Sequence, residues 1–106
     1  MSDCIFCKIV NGDFNTEFVY ENDYAVVFKD INPKAEIHLL VVPRIHVESL
    51  NELDDETLLG KLMLTVKEAT KALGIKSYKT VINTGKDAGQ EVFHLHIHIL
   101  SGKGAK

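Results

Sequence analysis

Apolar positions along this chain recur at two periods, and the switches between them mark out the elements. From Cys4 to Val10 the apolar residues Ile5, Phe6, Ile9 and Val10 fall at helical spacing and Gly12 follows, which predicts a short helix with a glycine at its end. Phe18-Val19-Tyr20 and Tyr24-Ala25-Val26-Val27-Phe28 are β-prone runs around Glu21-Asn22-Asp23, which has turn chemistry. They predict an antiparallel hairpin. Ile37 to Val42 predicts another strand, stopped by Pro43, which has no N–H for a central ladder.

The clearest helix comes next. Asp54 reads as its N-cap, with Leu53 and Leu58 at staple positions. Leu58, Leu59, Leu62, Val66, Ala69 and Leu73 recur at helical spacing, and Gly74 ends the run. Tyr78 to Asn83 and Phe93 to Leu100 predict two more strands, joined by a polar loop that contains Gly85 and Gly89. Strands outnumber helices and short turns join most of them, so the pattern predicts an α+β domain in which an antiparallel sheet is backed by helix. No repeat, low-complexity tract or Pro/Ser-rich linker interrupts residues 1–106, which read as a single domain.

Composition narrows the class. The 106 residues are 45% hydrophobic and 25% charged, the balance of an ordinary soluble protein. No segment approaches the roughly 18 apolar residues of a membrane span. The start, Met1-Ser2-Asp3-Cys4, is acidic, and the apolar run after it is broken by Lys8, unlike a secretory signal. A cytoplasmic location with no membrane partner is expected. A net charge of -3 argues against a nucleic-acid polymer as partner, because such binding draws on a basic patch.

Candidate chemistry concentrates in Phe93-His94-Leu95-His96-Ile97-His98-Ile99-Leu100, which alternates strictly. On a strand, Leu95, Ile97 and Ile99 go to one face and His94, His96 and His98 to the other, with alternate imidazoles about 6.6 Å apart. A lone strand histidine is usually just solvated or hydrogen-bonded. Here three of the protein's five histidines share one register. Imidazole, with a reference pKa of about 6.5, can serve as nucleophile, proton donor or metal ligand. The row therefore suits a catalytic zinc held by His-x-His, or covalent attack on an electrophile with neighbouring imidazoles stabilising charge. The preceding loop reads first as ordinary turn chemistry. Beside the histidines, Gly85 and Gly89 with Asn83 and Gln90 also suit a phosphate rim.

Cys4-Ile5-Phe6-Cys7 is too sparse for a disulfide framework. Its spacing fits structural-zinc ligands, a redox pair or two buried thiols.

The run His94-Leu95-His96-Ile97-His98-Ile99-Leu100 resembles the signature of the histidine-triad superfamily. Ile5-Phe6-Cys7-Lys8-Ile9-Val10, Phe28-Lys29-Asp30-Ile31-Asn32-Pro33, His38-Leu39-Leu40-Val41-Val42-Pro43 and Gly89-Gln90-Glu91-Val92-Phe93 are similar to its Hint-like branch, in the same order. The resemblance implies a five-stranded antiparallel sheet with one long helix and a short N-terminal one, paired in a homodimer with a continuous ten-stranded sheet. It implies a purine nucleoside phosphoramidate or nucleotidyl hydrolase in which His96 attacks the α-phosphorus, His98 contacts phosphate and departing group, and His38 supports them. Asn83, Gly89 and Gln90 would line the phosphate, and Asp30 would take the ribose hydroxyls. Ile5, Phe6, Ile9, Phe28 and Ile31 would form the base slot, although without the resemblance most of these read as core. Some bacterial members beginning Cys-x-x-Cys complete a structural zinc site with two histidines, here His46 and His94. No cofactor is implied for the chemistry itself. The pattern departs from this branch at Glu91, where many members carry Ser, and Ser101 to Lys106 form a short basic end where members shape the leaving-group side. A non-catalytic purine nucleotide sensor and a catalytic-zinc hydrolase are the competing functions.

Overall fold

Antiparallel pairing joins the strands β1 (Tyr20–Glu21), β2 (Ala25–Lys29), β3 (Ile37–Pro43), β4 (Lys79–Val81) and β5 (Ile97–Ser101) into one five-stranded sheet of order β1-β2-β3-β5-β4. The computed structural model describes residues 3–106; Met1 and Ser2, which open the acidic start read against a secretory signal, lie outside the described residues. A short helix, α1 (Ile5–Val10), covers one face of the sheet and a long one, α2 (Glu56–Ala72), the other. This is the α+β architecture expected. Among the described residues no helix is long and apolar enough to cross a membrane.

The two sheet faces bury different things. Ala25, Val27, Leu39, Val41, Leu95, Ile97 and Ile99 pack against Leu58, Leu62, Val66 and Ala69 of α2, the larger core. On the opposite face Val26, Phe28, Leu40 and Val42 pack against Phe6 of α1. Alternation thus carries every second residue of a strand into each layer.

Several boundaries differ from the sequence reading. The N-cap of α2 is Asp55 rather than Asp54: the Asp55 carboxylate accepts from the N–H groups of Thr57 and Leu58 at 3.0 and 3.2 Å. Leu53 and Leu58 are accordingly core partners and not a staple. At the far end the expectation at Gly74 holds. The Ile75 N–H reaches the Thr70 carbonyl (2.9 Å) and the Gly74 N–H that of Lys71 (3.2 Å). This is the Schellman pattern, and it needs the positive φ of 72° that Gly74 adopts. The hairpin between β1 and β2 is held by Asn22, whose side-chain oxygen accepts from the N–H groups of Tyr24 and Ala25. Phe18, Val19 and Tyr24 fall outside the paired strands, and β4 is shorter than Tyr78 to Asn83.

The largest correction concerns the histidines. Pro43 is the last residue of β3, opposite Ala25, rather than the residue after it. On its other side the ladder with β5 runs only to Val41 opposite Ile97. One step further on, Pro43 would stand opposite Leu95 with no N–H to give, and the Leu95 N–H bonds the Val47 carbonyl instead (2.7 Å). Strand β5 therefore starts at Ile97, so His94 and His96 stand before it and only His98 is on it.

Candidate functional site

On the α1 face a cleft of about 980 Å³ opens between α1, the Asp30–Lys34 turn and the strands β3, β4 and β5. Ile5, Phe6, Ile9, Phe28 and Ile31 form an apolar side, and His96, His98, His38, Asp30, Asn83 and Gly89 a polar one. Of the expected nucleotide-binding residues, Gln90 alone does not reach it. Lys79, Val81 and Leu40 also line the cleft. Sequence reasoning misses them because they owe their position to register, with Leu40 and Val81 standing opposite His98 on its two neighbouring strands.

Hydrogen bonds assign the imidazole protons. The Nδ1 of His96 lies 2.7 Å from the carbonyl of His94, which can only accept. His96 therefore carries its proton on Nδ1 and keeps a lone pair on Nε2. In His38 the order is reversed: Nδ1 accepts from the Lys34 N–H at 2.9 Å, so the proton sits on Nε2. That Nε2 is 2.9 Å from Nδ1 of His98 and 3.3 Å from the Asp30 carboxylate. Accepting at Nδ1 leaves His98 with its proton on Nε2, a buried atom with no partner among the described residues. The adjacent rings of His96 and His98, 5.0 Å between centroids, thus present opposite chemistry, a lone pair on one and an N–H on the other.

Burial keeps this row neutral. It pushes His96 below the ordinary imidazole range despite the opposing His94 carbonyl. In His98 burial, reinforced by the neighbouring His96 and His38, pushes the pKa down to about 4. His38 is likewise lowered by burial, against the pull of Asp30. A neutral His96 has its nucleophilic lone pair at neutral pH.

His94 faces elsewhere. Its Nδ1 lies 3.4 Å from the Cys4 sulfur, 3.6 Å from the Cys7 sulfur and 3.2 Å from Nδ1 of His46, and Cys7 is 3.3 Å from that same His46 nitrogen. These separations lie close to the edges of a tetrahedron around zinc, about 3.3–3.8 Å for ordinary Zn–S and Zn–N bonds. His94 Nε2 donates to the Pro43 carbonyl at 2.9 Å, which leaves the Nδ1 lone pair for the cluster. Burial and the adjoining Cys4 raise the Cys7 thiol, and a bound cation would favour its thiolate. The donor set fits a structural zinc. The three triad histidines, in contrast, do not come together in one such cluster; His98 instead lies with His38 and Asp30, so a zinc held by all three triad histidines has no geometric support.

The loop before the histidines is wound on itself. Gln90 is buried, its amide nitrogen donating to the carbonyls of Glu48 and Val92 (2.7 and 3.0 Å) and its oxygen accepting from the Gly85 N–H (2.9 Å). The expectation that its side chain lines phosphate is corrected: every polar atom is used to hold the loop. Gly89 does border the cleft, at a φ of 96° that favours glycine, but its N–H bonds the Lys86 carbonyl. Glu91 also borders the cleft and is exposed, so its charge lies at the rim.

Comparison with known proteins bears on this arrangement. The family model described as the HIT domain matches residues 11–105. Protein HitA of Neisseria gonorrhoeae is 52% identical over 103 residues, covering 94% of this chain and 96% of that protein. The crystal structure of a HIT family hydrolase from Legionella pneumophila Philadelphia 1 superposes with a TM-score of 0.89 at 35% identity, covering 95% of this chain and 94% of the other. That of a histidine triad nucleotide-binding protein from Candida albicans gives 0.84 at 33% identity, over 92% and 73% of the two chains.

Proposed function

The chain belongs to the histidine-triad (HIT) family, and from that premise we propose that it is a purine nucleoside phosphoramidate or nucleotidyl hydrolase working through a nucleotidyl-histidine on His96. The observation that carries this reading is the pair of opposed tautomers, with the His96 lone pair beside the unpartnered His98 N–H at the end of an apolar cleft. A purine fits between Phe6, Ile9 and Phe28, and the Asp30 carboxylate suits the ribose diol. Phosphate then falls among His96, His98 and Asn83.

In the first step the Nε2 electron pair of His96 bonds to the α-phosphorus as the bond to the departing nitrogen or oxygen breaks, its electrons leaving with that atom, which takes up a proton from solvent. The His98 N–H stabilises the charge gathering on the phosphoryl oxygens. In the second step water attacks the same phosphorus, the bond to His96 breaks, and the proton taken up by the departing group is made good by that water. Dividing the displacement in two replaces one hard step with two easier ones.

Zinc bound by Cys4, Cys7, His46 and His94 would supply stability, since four protein ligands leave no open position for chemistry. A homodimer is part of the same proposal. Strand β4 is an edge of the sheet, with its outer backbone groups free to pair with a second copy.

The decisive experiment is mass spectrometry of protein quenched during turnover of an adenosine phosphoramidate. A nucleotidyl adduct on His96, absent from His96→Ala together with turnover, is expected. Turnover that survives in His96→Ala rules out the nucleophile, and AMP binding without turnover in the unaltered protein identifies a sensor instead.

A further inference from the structure

The Cys4/Cys7/His46/His94 cluster and the cleft share more than a neighbourhood. Between Asp3 and Phe18 every backbone hydrogen bond of the described residues stays within the segment, and the first tie to the sheet comes just after it, from the Val19 N–H to the Val27 carbonyl. Among the described residues, the segment's side-chain hydrogen-bonding contacts with the rest of the chain are those of the two cysteine sulfurs with His46 and His94. Beyond these, packing of Phe6 and its apolar neighbours holds it. Helix α1 has six residues, too few for stability of its own. Yet it supplies Ile5, Phe6 and Ile9, one wall of the cleft.

The second link runs through His94. Its side chain belongs to the cluster while its carbonyl fixes the Nδ1 proton of His96. Phe6, between the two cysteines in sequence, sets its ring edge-on to both, 6.0 Å from the His94 centroid and 5.0 Å from that of His96.

We infer that Cys4, Cys7 and His46 are positioning residues for the nucleotide site: a metal clasped by them and His94 seats the α1 wall and fixes the His94 carbonyl on which His96 hangs. This rests on the nucleotide and zinc readings above. Without metal, the wall is held only by the packing of Phe6 and its neighbours and by the weak contacts of the cysteine sulfurs with His46 and His94, and the cleft is looser. Seating the wall costs ordering entropy, which metal and nucleotide each help to offset, so each favours binding of the other. Because coupling is reciprocal, nucleotide must tighten metal by the factor by which metal tightens nucleotide. A zinc that served stability alone, remote from the cleft, shows no such linkage.

The test uses the full chain, zinc-loaded or stripped by dialysis against a chelator. Zinc affinity is measured by competition with a chromogenic chelator, with and without saturating AMP, and AMP affinity by calorimetry in both metal states. Zinc affinity should rise about tenfold with AMP bound, matched by about a tenfold loss of AMP affinity on stripping. His46→Gln, altered outside both α1 and the cleft, should lose the linkage while retaining weakened AMP binding. Amide hydrogen exchange reads the clasp independently of nucleotide. Zinc should slow exchange at residues 6–10, with β3 and β5 protected in both states as proof of folding. Equal zinc affinity with and without AMP overturns the coupling and leaves the hydrolase reading standing. Failure of AMP to bind the loaded protein overturns the nucleotide reading, and exchange at residues 6–10 then decides the clasp. A chain that takes up no zinc, or whose α1 exchanges equally fast with it, overturns the inference.

Discussion

The Nε2 of His38 donates to the Nδ1 of His98 across the β3–β5 pairing, at 2.9 Å. Leu40 is directly opposite His98, so His38 is its diagonal neighbour, within reach of a long planar side chain. That one bond decides which edge of His98 meets the cleft.

Removing it should therefore impair chemistry more than binding. His38→Ala leaves His98 free to put its proton on either nitrogen, and kcat for an adenosine phosphoramidate is expected to fall about a hundredfold with little change in AMP affinity. His38→Gln, whose amide can still donate, should recover part of the loss. Steady-state kinetics with AMP titration measure both. An equal fall in affinity and kcat would show that His38 only packs.

Acid should destabilise the fold over a definite window. His98 is faced by His96, His38, Asp30 and Lys34, and burial with its histidine neighbours holds its pKa at about 4 against an unfolded value of about 6.5. Between those values the unfolded chain binds the extra proton and the folded one does not, so stability rises with pH there. His38, also lowered, acts in the same direction. Tm in metal-replete buffer is expected to hold above pH 6.5, to fall as pH drops toward 4, and to fall less in His98→Asn. A Tm that is flat between pH 6.5 and 4.5 contradicts this.

Gln90 should matter to the loop and not to phosphate. Gln90→Ala strips partners from the Gly85 N–H and from the Glu48 and Val92 carbonyls. Losing partly buried partners costs about 1–3 kcal/mol, to be read from urea unfolding. Asn83→Ala, a cleft residue, is expected to weaken AMP binding at much smaller cost in stability. If Gln90→Ala unfolds at the same urea concentration as the unaltered chain, its bonds do not hold the loop.

Much of this protein follows from local pattern. The alternation of Leu95, Ile97 and Ile99 with the histidines, the helical spacing of Leu58, Leu62, Val66 and Ala69, and Gly74 at the helix end declare themselves because their causes lie within a few residues: the two-residue period of a strand, the 3.6-residue turn of a helix, and a left-handed stop. The histidines were equally visible as a group. Their division of labour was not, because it depends on atoms distant in sequence: the Pro43 position that ends the ladder and accepts from His94, the Lys34 N–H that sets the His38 tautomer, and the cysteines that meet His94 about ninety residues on. Gln90 shows the same limit. Composition marked it as able to bond phosphate, while the fold spent its amide on Glu48 and Val92 first. A side chain's chemistry is written in the sequence, but which of its atoms remain free is settled only when the rest of the chain has taken its hydrogen bonds.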